Sequence, residues 1–381
     1  METLILLQHY WWFLIAVLGA LLVLLLFVQG GQGLLYTIGR SELERTMVVN
    51  ALGRKWEFTF TTLVTFGGAF FASFPLFYST SFGGAFYVWM AILLVFVLQA
   101  VAYEFRRKAG NLFGEKTYNI FLIINGVAAP LLIGTAVGTF FTGANFSVDR
   151  LNIANVGGNT AISQWTTPWH GLEALADYRN VALGLAVVFL SRMLACHYFL
   201  NNIDDQTIRD RARRQSLYAA APFLLCFLTF LGSLLFASGW AVDPATGIIS
   251  VETYKYLHNL LALPAVTVTL LIGVVMVLWG ILKGWQASRQ AIWFSGIGTV
   301  LTVLALLLCA GWNNTAYYPS LSHMQSSLTI YNSSSSAFTL GVMSIVSLLI
   351  PFVFGYIWYA WRAINRQSIT RREVEQDDHL Y

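Results

Sequence analysis

Residues 10–28 read YWWFLIAVLGALLVLLLFV, a run of 19 residues without Asp, Glu, Lys, Arg, Asn or Gln. A helix rises about 1.5 Å per residue and the hydrocarbon core of a bilayer is about 30 Å thick, so this run is nearly long enough to cross it. Strands and helices buried in soluble cores are normally shorter than this. The stretch therefore indicates a membrane-spanning helix.

Further apolar runs follow at 58–78, 85–103, 120–141, 181–200, 217–240, 260–282, 291–312 and 340–361. Of the 381 residues 57% are hydrophobic and only 10% are charged, whereas soluble domains carry about 25% charged residues. Strands of a membrane barrel would alternate apolar and polar residues over about 10 positions. The sequence therefore predicts an all-α polytopic membrane protein with about nine transmembrane helices. Pro130, Pro222, Pro264 and Pro351 are expected to kink these helices rather than break them.

Basic residues fall almost entirely on one side of the predicted topology. With nine spans, 18 of the 22 Lys and Arg residues lie in the connectors and tail of that side, whereas Arg150, Arg179 and Lys255 lie on the other. Cytoplasmic loops carry the excess of basic residues, which predicts an outer N-terminus and a cytoplasmic C-terminus. The net charge of +4 follows from this bias and requires no nucleic-acid partner.

Three ionisable residues within or beside the spans are candidates for function, because charge at membrane depth is costly. Glu57 opens the second span, Glu104 closes the third, and Arg192 lies in the inner part of the fifth. The two carboxylates could take up protons at the cytoplasmic ends of their helices. They could equally form helix-end ion pairs with neighbouring basic residues. Arg192 could serve a buried pair or extend toward the cytoplasmic interface.

Histidine and glycine positions add two expectations. No two histidines have the i, i+3 or i, i+4 spacing of a paired ligand site, and no metal site is predicted. A haem can take a single axial histidine, and His197, with the greatest expected membrane burial, is the candidate for that role. The segment Gly67-Gly68-Ala69, with Ala72 and Ser73, indicates a small-residue face on the second span that suits close helix packing.

Short motifs along the whole chain carry a family resemblance. They are Trp11-Trp12, Gly39-Arg40, Glu44-Arg45, Asn50, Trp56-Glu57, the stretch GGAFFASFP at 67–75, Glu104-Phe105-Arg106, Pro130 with Gly134 and Gly138, Phe146-Ser147-Val148-Asp149, Ser327-Leu328-Thr329, the stretch SSAFTL at 335–340, and the closing His379-Leu380-Tyr381. In order and spacing the chain resembles subunit II of the cytochrome bd quinol oxidases.

The resemblance implies two four-helix bundles plus one helix. The corresponding divisions are 1–142 for the first bundle, 143–180 for an outer loop, 181–312 for the second bundle, 313–338 for another outer loop, and 339–381 for the ninth helix and cytoplasmic tail. It also implies a bacterial inner-membrane heterodimer with a subunit I that carries haem b and haem d. A bound quinone, small single-span subunits, quinol and lipid are further expected ligands and partners.

For site residues, the resemblance assigns Glu57, with Trp56 before it, and Glu104 to a proton route. Arg192, chosen for its depth in the fifth span, is a supporting candidate. Both acids are Glu where the family usually has Asp. Gln29 stands where the family's first span ends with an Asp, and an amide cannot release a proton at neutral pH. The expected function is support of a partner that reduces oxygen to water with electrons from quinol, including a proton or oxygen route. A multispanning secondary transporter and a bare membrane scaffold are the alternatives.

Overall fold

The computed structural model describes residues 2–108, 110–154, 160–365 and 368–371. Within them the chain forms fifteen α-helices: α1 (Glu2–Leu25), α2 (Phe27–Gln32), α3 (Leu35–Ile38), α4 (Glu42–Gly53), α5 (Trp56–Ser73), α6 (Pro75–Tyr78), α7 (Phe86–Phe105), α8 (Glu115–Thr142), α9 (Tyr178–Asn202), α10 (Gln206–Leu235), α11 (Lys255–Ala262), α12 (Pro264–Trp285), α13 (Ala291–Gly311), α14 (Ala337–Ser347) and α15 (Ile350–Ile364). The closing motif 379–381 lies outside the described residues.

Eight helical segments of the described chain are long and apolar enough to cross a membrane. They are Glu2–Gln32, Phe86–Phe105, Glu115–Thr142, Tyr178–Asn202, Gln206–Leu235, Pro264–Trp285, Ala291–Gly311 and Ala337–Ile364. The predicted span at 58–78 forms α5, which has 18 residues but is less apolar than these eight. The all-α polytopic class is thus confirmed.

The prolines divide into two groups. Pro130 and Pro222 lie inside the continuous helices α8 and α10, as predicted. Pro264 and Pro351 instead occupy the first turn of α12 and α15, where each follows a short interruption. Proline is well tolerated in a first turn, because the backbone N–H that it lacks has no helical partner there. For Pro264, which follows the non-helical Leu263, the expectation of a kink was wrong. Pro351 lies within the single interrupted span Ala337–Ile364, as expected of a kink.

Polar side chains fix where several helices begin. Ser41 and Glu44 form a reciprocal capping box at the start of α4. Asp177 caps α9, Asp205 accepts from the backbone N–H of Ile208 at the start of α10, and Ser336 caps α14. These residues satisfy backbone donors that a helix leaves free in its first turn, and they mark the sharp ends of the spans.

Three β-hairpins lie together at one end of the helices. The antiparallel pairs are β1 (Phe146–Val148) with β2 (Ser163–Trp165), β3 (Gly239–Val242) with β4 (Ile249–Glu252), and β5 (Ala316–Tyr318) with β6 (Leu328–Thr329). Isolated bridges join the hairpins to one another: Ala144, before β1, pairs with Ser320, after β5, and Ala241 of β3 pairs with Thr315, before β5. We call this end the hairpin face, and the opposite end, with the Arg- and Lys-rich connectors, the basic face.

Aromatic packing anchors the hairpin face to the helices. Trp12 of α1 is almost fully buried, and its indole Nε1 donates to the carbonyl of Leu307 in α13 at 3.0 Å. The centroid of its ring lies 4.3 Å from the ring centroid of Tyr317 and 5.8 Å from the ring centroid of Phe74. The first helix, α13 and β5 therefore share one apolar core.

Candidate functional site

Glu57 and Glu104, the two predicted proton-route acids, both lie on the surface of this chain. Glu57 occupies the first turn of α5, is exposed, and forms no ion pair with another described residue. Glu104 is also exposed and forms an ion pair with Lys108, one helical turn further along the chain. The geometry of Glu104 matches a helix-end ion pair, whereas the exposed carboxylate of Glu57 has no such partner among the described residues.

Trp56 links the start of α5 to the end of α7. Its indole ring stacks on Tyr103 with centroids 5.7 Å apart and planes inclined by 14°. The indole Nε1 is buried and has no hydrogen-bond partner within the described chain. Trp56 therefore points into the protein, while the adjacent Glu57 points out of it.

Behind Trp56 the structure places a group of neutral polar side chains that the search for ionisable residues missed. Gln29 donates through Nε2 to Oε1 of Gln99 at 3.1 Å, and Gln32 donates to the hydroxyl of Tyr103 at 3.0 Å. Asn125 donates to the carbonyl of Val95 at 3.0 Å. We call Gln29, Gln32, Gln99 and Asn125 the amide cluster. The sequence signal was available, because Gln99 and Asn125 interrupt otherwise apolar spans.

Each member of the amide cluster retains a buried atom without a described hydrogen-bond partner. These atoms are Oε1 of Gln29, Oε1 of Gln32, Nε2 of Gln99 and Oδ1 of Asn125. Buried polar groups are normally bonded, so both donors and acceptors remain available here to a small polar molecule. A side-chain amide does not ionise at neutral pH, and the cluster therefore supplies hydrogen bonds rather than a titratable group.

Glycines bring α2 close enough to its neighbours to assemble this cluster. A Cβ on Gly30 would lie 2.1 Å from the backbone carbonyl of Ser191 in α9, and a Cβ on Gly126 would lie 2.4 Å from the backbone nitrogen of Gly33. Only a residue without a side chain fits at such a contact. The contacts hold α2 against both α8 and α9 and so fix Gln29 and Gln32 in the interior.

Arg192 lies beside α2 but apart from any carboxylate. It is half-buried in α9, and its guanidinium packs next to Gly33 and 5.9 Å from the ring centroid of Phe189. Its Nε is buried without a described hydrogen-bond partner, and no ion pair with another described residue is formed. The alternative of a buried ion pair inside this chain is therefore not realised in the described residues.

On the basic face, Glu44 joins three segments. Its Oε2 accepts from Arg211 of α10 at 2.7 Å and from the backbone N–H groups of Arg40 and Ser41 at 2.8 and 3.0 Å. Burial alone would raise the pKa of Glu44, but the hydrogen bonds from Arg211, Ser41 and Arg40 outweigh it and lower the pKa to about 2. Glu44 is therefore a charged structural link rather than a proton donor at neutral pH.

His197 is fully buried and both of its ring nitrogens are engaged. Nδ1 lies 2.9 Å from the hydroxyl of Ser295 in α13, and Nε2 lies 3.0 Å from the hydroxyl of Ser216 in α10. An axial haem ligand needs one free ring nitrogen facing the iron. His197 does not fit that role, and it instead ties three helices together.

The arrangement defines a class: a polytopic helical membrane protein whose interior carries neutral amides and a bonded histidine. Comparison with known proteins identifies the family. Residues 7–364 match the family model described as cytochrome bd terminal oxidase subunit II, and the chain belongs to this family.

Individual relatives are similar in sequence to this protein over nearly its whole length. The sequence is 26% identical to "Cytochrome bd-I ubiquinol oxidase subunit 2" of Escherichia coli (strain K12), covering 98% of both proteins. It is 27% identical to "Cytochrome bd ubiquinol oxidase subunit 2" of Bacillus subtilis (strain 168), covering 96% of this chain and 98% of that protein. The fold resembles a chain of the bd oxidase from Geobacillus thermodenitrificans, with a TM-score of 0.57, 17% identity, and coverage of 96% and 99%. The transporter alternative is not favoured by these relatives.

Proposed function

We propose that this chain is the non-haem subunit of a membrane quinol oxidase that reduces oxygen to water. The family match over residues 7–364 carries the proposal. The engaged ring nitrogens of His197 agree with it, because they leave haem b and haem d to a partner subunit I. The chain then holds that partner in its folded, haem-loaded form.

Co-purification tests this function. A tagged chain expressed together with its subunit I should yield a coloured complex with reduced b- and d-type absorption bands and quinol-dependent oxygen consumption. The chain expressed alone should be colourless. A colourless homo-oligomer obtained from the co-expressing cells would reject the proposal.

The orientation and divisions of the chain belong to the same proposal. The hairpin face lies on the outer side of a bacterial inner membrane, and the basic face lies on its cytoplasmic side. The N-terminus is then outside and the C-terminus is in the cytoplasm. The divisions 1–142, 143–180, 181–312, 313–338 and 339–381 remain the proposed two bundles, their outer loops, and the last helix with its tail. A bound quinone, small single-span subunits and surrounding lipid complete the proposed assembly.

Glu57 and Glu104 are the proposed acids of a cytoplasmic proton route, and Trp56 and Arg192 are its proposed supporting residues. The carboxylate of Glu57 is exposed and forms no ion pair with another described residue, so it is open to water, which supports this role. Glu57→Gln should slow oxygen reduction while the complex stays assembled with its haems. Glu42→Gln is the matched control, since Glu42 is also exposed in the first turn of a helix. Equal turnover in the two variants would remove Glu57 from the route.

An apolar path for oxygen is proposed through the helix interior. A cavity of about 90 Å³ and a second of about 40 Å³ share lining residues that are all apolar: Val23, Ile133, Val137, Val303 and Leu307. Apolar cavities of this size stay dry and accept apolar guests. Val137→Phe should raise the KM for oxygen severalfold and leave kcat almost unchanged, whereas Val275→Phe on the exposed side of α12 should change neither. An unchanged KM in Val137→Phe would place the path elsewhere.

A further inference from the structure

The hairpin face contains a cavity of about 610 Å³ where three membrane helices end. Its walls are the start of α7, the end of α8 and the start of α9, together with Trp165 of β2 and Tyr318 of β5. We call it the hairpin cavity. Sites for small molecules have volumes of about 300 to 1,000 Å³, so it is large enough for such a ligand. Because the ends of membrane helices form its walls, it lies at the depth of lipid headgroups rather than of acyl chains.

One wall of the hairpin cavity carries an ion pair with unused donors. Arg179, at the start of α9, donates from Nε and Nη2 to the carboxylate of Asp177 at 3.0 and 2.6 Å. A guanidinium has five N–H donors, and Nη1 of Arg179 has no hydrogen-bond partner among the described residues. Both residues are half-buried. Arg179 can therefore bind a ligand atom without breaking the ion pair.

Glu173 adds a second carboxylate to the same cavity. One of its oxygens accepts from the hydroxyl of Thr167 at 2.7 Å, and the other accepts from the backbone N–H of Gly171 at 2.8 Å. A carboxylate has about four acceptor positions, so both Glu173 and Asp177 can accept a further hydrogen bond. The hairpin cavity thus presents one cation with spare donors and two anions with spare acceptor positions.

The framework of the hairpin cavity is fixed by Asn180. This buried side chain accepts from the hydroxyl of Thr142 at the end of α8 at 2.8 Å and donates to the carbonyl of Ala174 at 3.1 Å. The two bonds hold the start of α9 against α8 and against the connector that carries Glu173. The charged groups are therefore positioned by the fold before any ligand arrives.

An apolar strip leads from the hairpin cavity toward the middle of the membrane. Ala136 of α8 lines the cavity, and Leu132 and Ala128 follow at intervals of four residues, which places the three on one side of the helix. All three are half-buried, so this side of α8 is partly open. Eight residues of helix rise about 12 Å, which is a substantial part of the depth of one leaflet.

We propose that the hairpin cavity binds the headgroup of a phospholipid that carries both a phosphate and an ammonium group, with one acyl chain along the α8 strip. The phosphate lies at Arg179, because guanidinium groups bind phosphate through charge-assisted hydrogen bonds. The ammonium group donates to the carboxylates of Glu173 and Asp177. The lipid comes from the leaflet on the side of the hairpin face, and the proposal does not depend on the haem-bearing partner.

The mixture of charges favours this headgroup over two others. A headgroup with a phosphate alone would bring a further negative charge to a cavity that already holds two carboxylates and one guanidinium. A neutral headgroup would leave the spare donors of Arg179 and the spare acceptor positions of the carboxylates without a charged partner. A headgroup with both charges matches both sets.

The first experiment uses the intact complex and a phosphatidylethanolamine probe with a diazirine in the middle of one acyl chain. Irradiation should attach the probe to α8 within residues 128–136, as mapped by mass spectrometry. Excess unlabelled phosphatidylethanolamine should reduce this adduct severalfold, whereas phosphatidylglycerol or a short-chain quinone at the same concentration should not. Absence of an adduct in this segment, or equal suppression by phosphatidylglycerol or by the quinone, would overturn the proposal.

The second experiment removes the cation and compares it with a matched control. Arg289 also pairs with an aspartate, since its Nη2 donates to Asp204 at 3.0 Å, but this pair lies on the basic face and does not line the hairpin cavity. Arg179→Gln should reduce the adduct on α8 severalfold, Arg179→Lys should restore part of it, and Arg289→Gln should leave it unchanged.

Equal adduct yields in the Arg179→Gln and Arg289→Gln complexes would contradict the assignment of the phosphate to Arg179 and overturn the proposal. If Arg179→Gln prevents recovery of the complex, the competition series on the wild-type complex decides alone.

Discussion

At the scale of single residues, Glu44 shows how a carboxylate on the basic face contributes to stability. It closes the capping box of α4 and also accepts from Arg211, which belongs to a helix more than 150 residues away along the chain. Its pKa is about 2 in the folded protein against an ordinary value of 4.5. A carboxyl with a lowered pKa stabilises the fold above its ordinary pKa, and this stabilisation is lost as the pH falls toward the folded value.

Glu44→Gln should therefore lower the Tm of the purified complex at pH 7, at a cost of roughly 1 to 3 kcal/mol. The difference from wild type should narrow as the pH is lowered from about 4.5 toward 3, because the wild-type carboxylate begins to lose its advantage. Melting curves across this range measure it. Glu42→Gln, on the exposed side of the same turn, should have little effect on the Tm. If the Tm difference between Glu44→Gln and wild type did not change with pH, the lowered pKa of Glu44 would be contradicted.

Among elements, α15 is held by few contacts, and one of them involves a buried amine. The Nζ of Lys55, fully buried before the start of α5, lies 4.2 Å from the ring centroid of Trp361 in α15 and has no hydrogen-bond partner within the described chain. Burial and, to a smaller extent, repulsion from Arg54 lower the pKa of Lys55 to about 7. The amine can therefore lose its proton near neutral pH, and with it the attraction of a cation for the indole ring.

Lys55→Met should stabilise the protein at pH 6, because Met fills similar space without a buried charge. The unfolded chain binds more protons than the folded one between pH 7 and the ordinary pKa of 10.5, so wild-type stability should rise with pH in that interval and the advantage of Met should shrink. Melting curves from pH 6 to 10 test this. Lys283→Met, at the end of α12, serves as the control, and a destabilised Lys55→Met at pH 6 would show that the cation–π contact dominates.

The elements also show how far the sequence could lead. Long apolar runs predicted all eight segments of the described chain that are long and apolar enough to cross a membrane, because burial in lipid requires length and hydrophobicity that are visible locally. The ninth predicted run, at 58–78, forms the less apolar α5 and the short α6. The break before Pro264 was not predicted, because the sequence does not distinguish a proline in the first turn of a helix from a proline that kinks a helix. The amide cluster depends on α2 passing between α8 and α9, a tertiary contact made possible by Gly30 and Gly126, and no local pattern specifies it.

For the whole molecule, the three hairpins and the basic connectors lie at opposite ends of the helices. Gln164, exposed in β2, marks the hairpin face, and Arg213, exposed in α10, marks the basic face. With Cys226 replaced by Ala, Cys at position 164 should react with a membrane-impermeant maleimide in intact cells. Cys at position 213 should react only after the membrane is opened. The reverse labelling would invert the proposed topology.

The tail that follows α15 pairs through its backbone with the connector between α9 and α10. Ile369 is buried and pairs with Ile203, its N–H donates to the carbonyl of Asn202, and its carbonyl accepts from the N–H of Asp204, each at 2.9 Å. Two of the bonds that close this clasp are made by the peptide backbone, which every amino acid except proline supplies. Substitutions here that keep an apolar side chain and a backbone N–H should therefore leave the pairing intact, whereas an insertion or deletion that shifts it by one residue should open it.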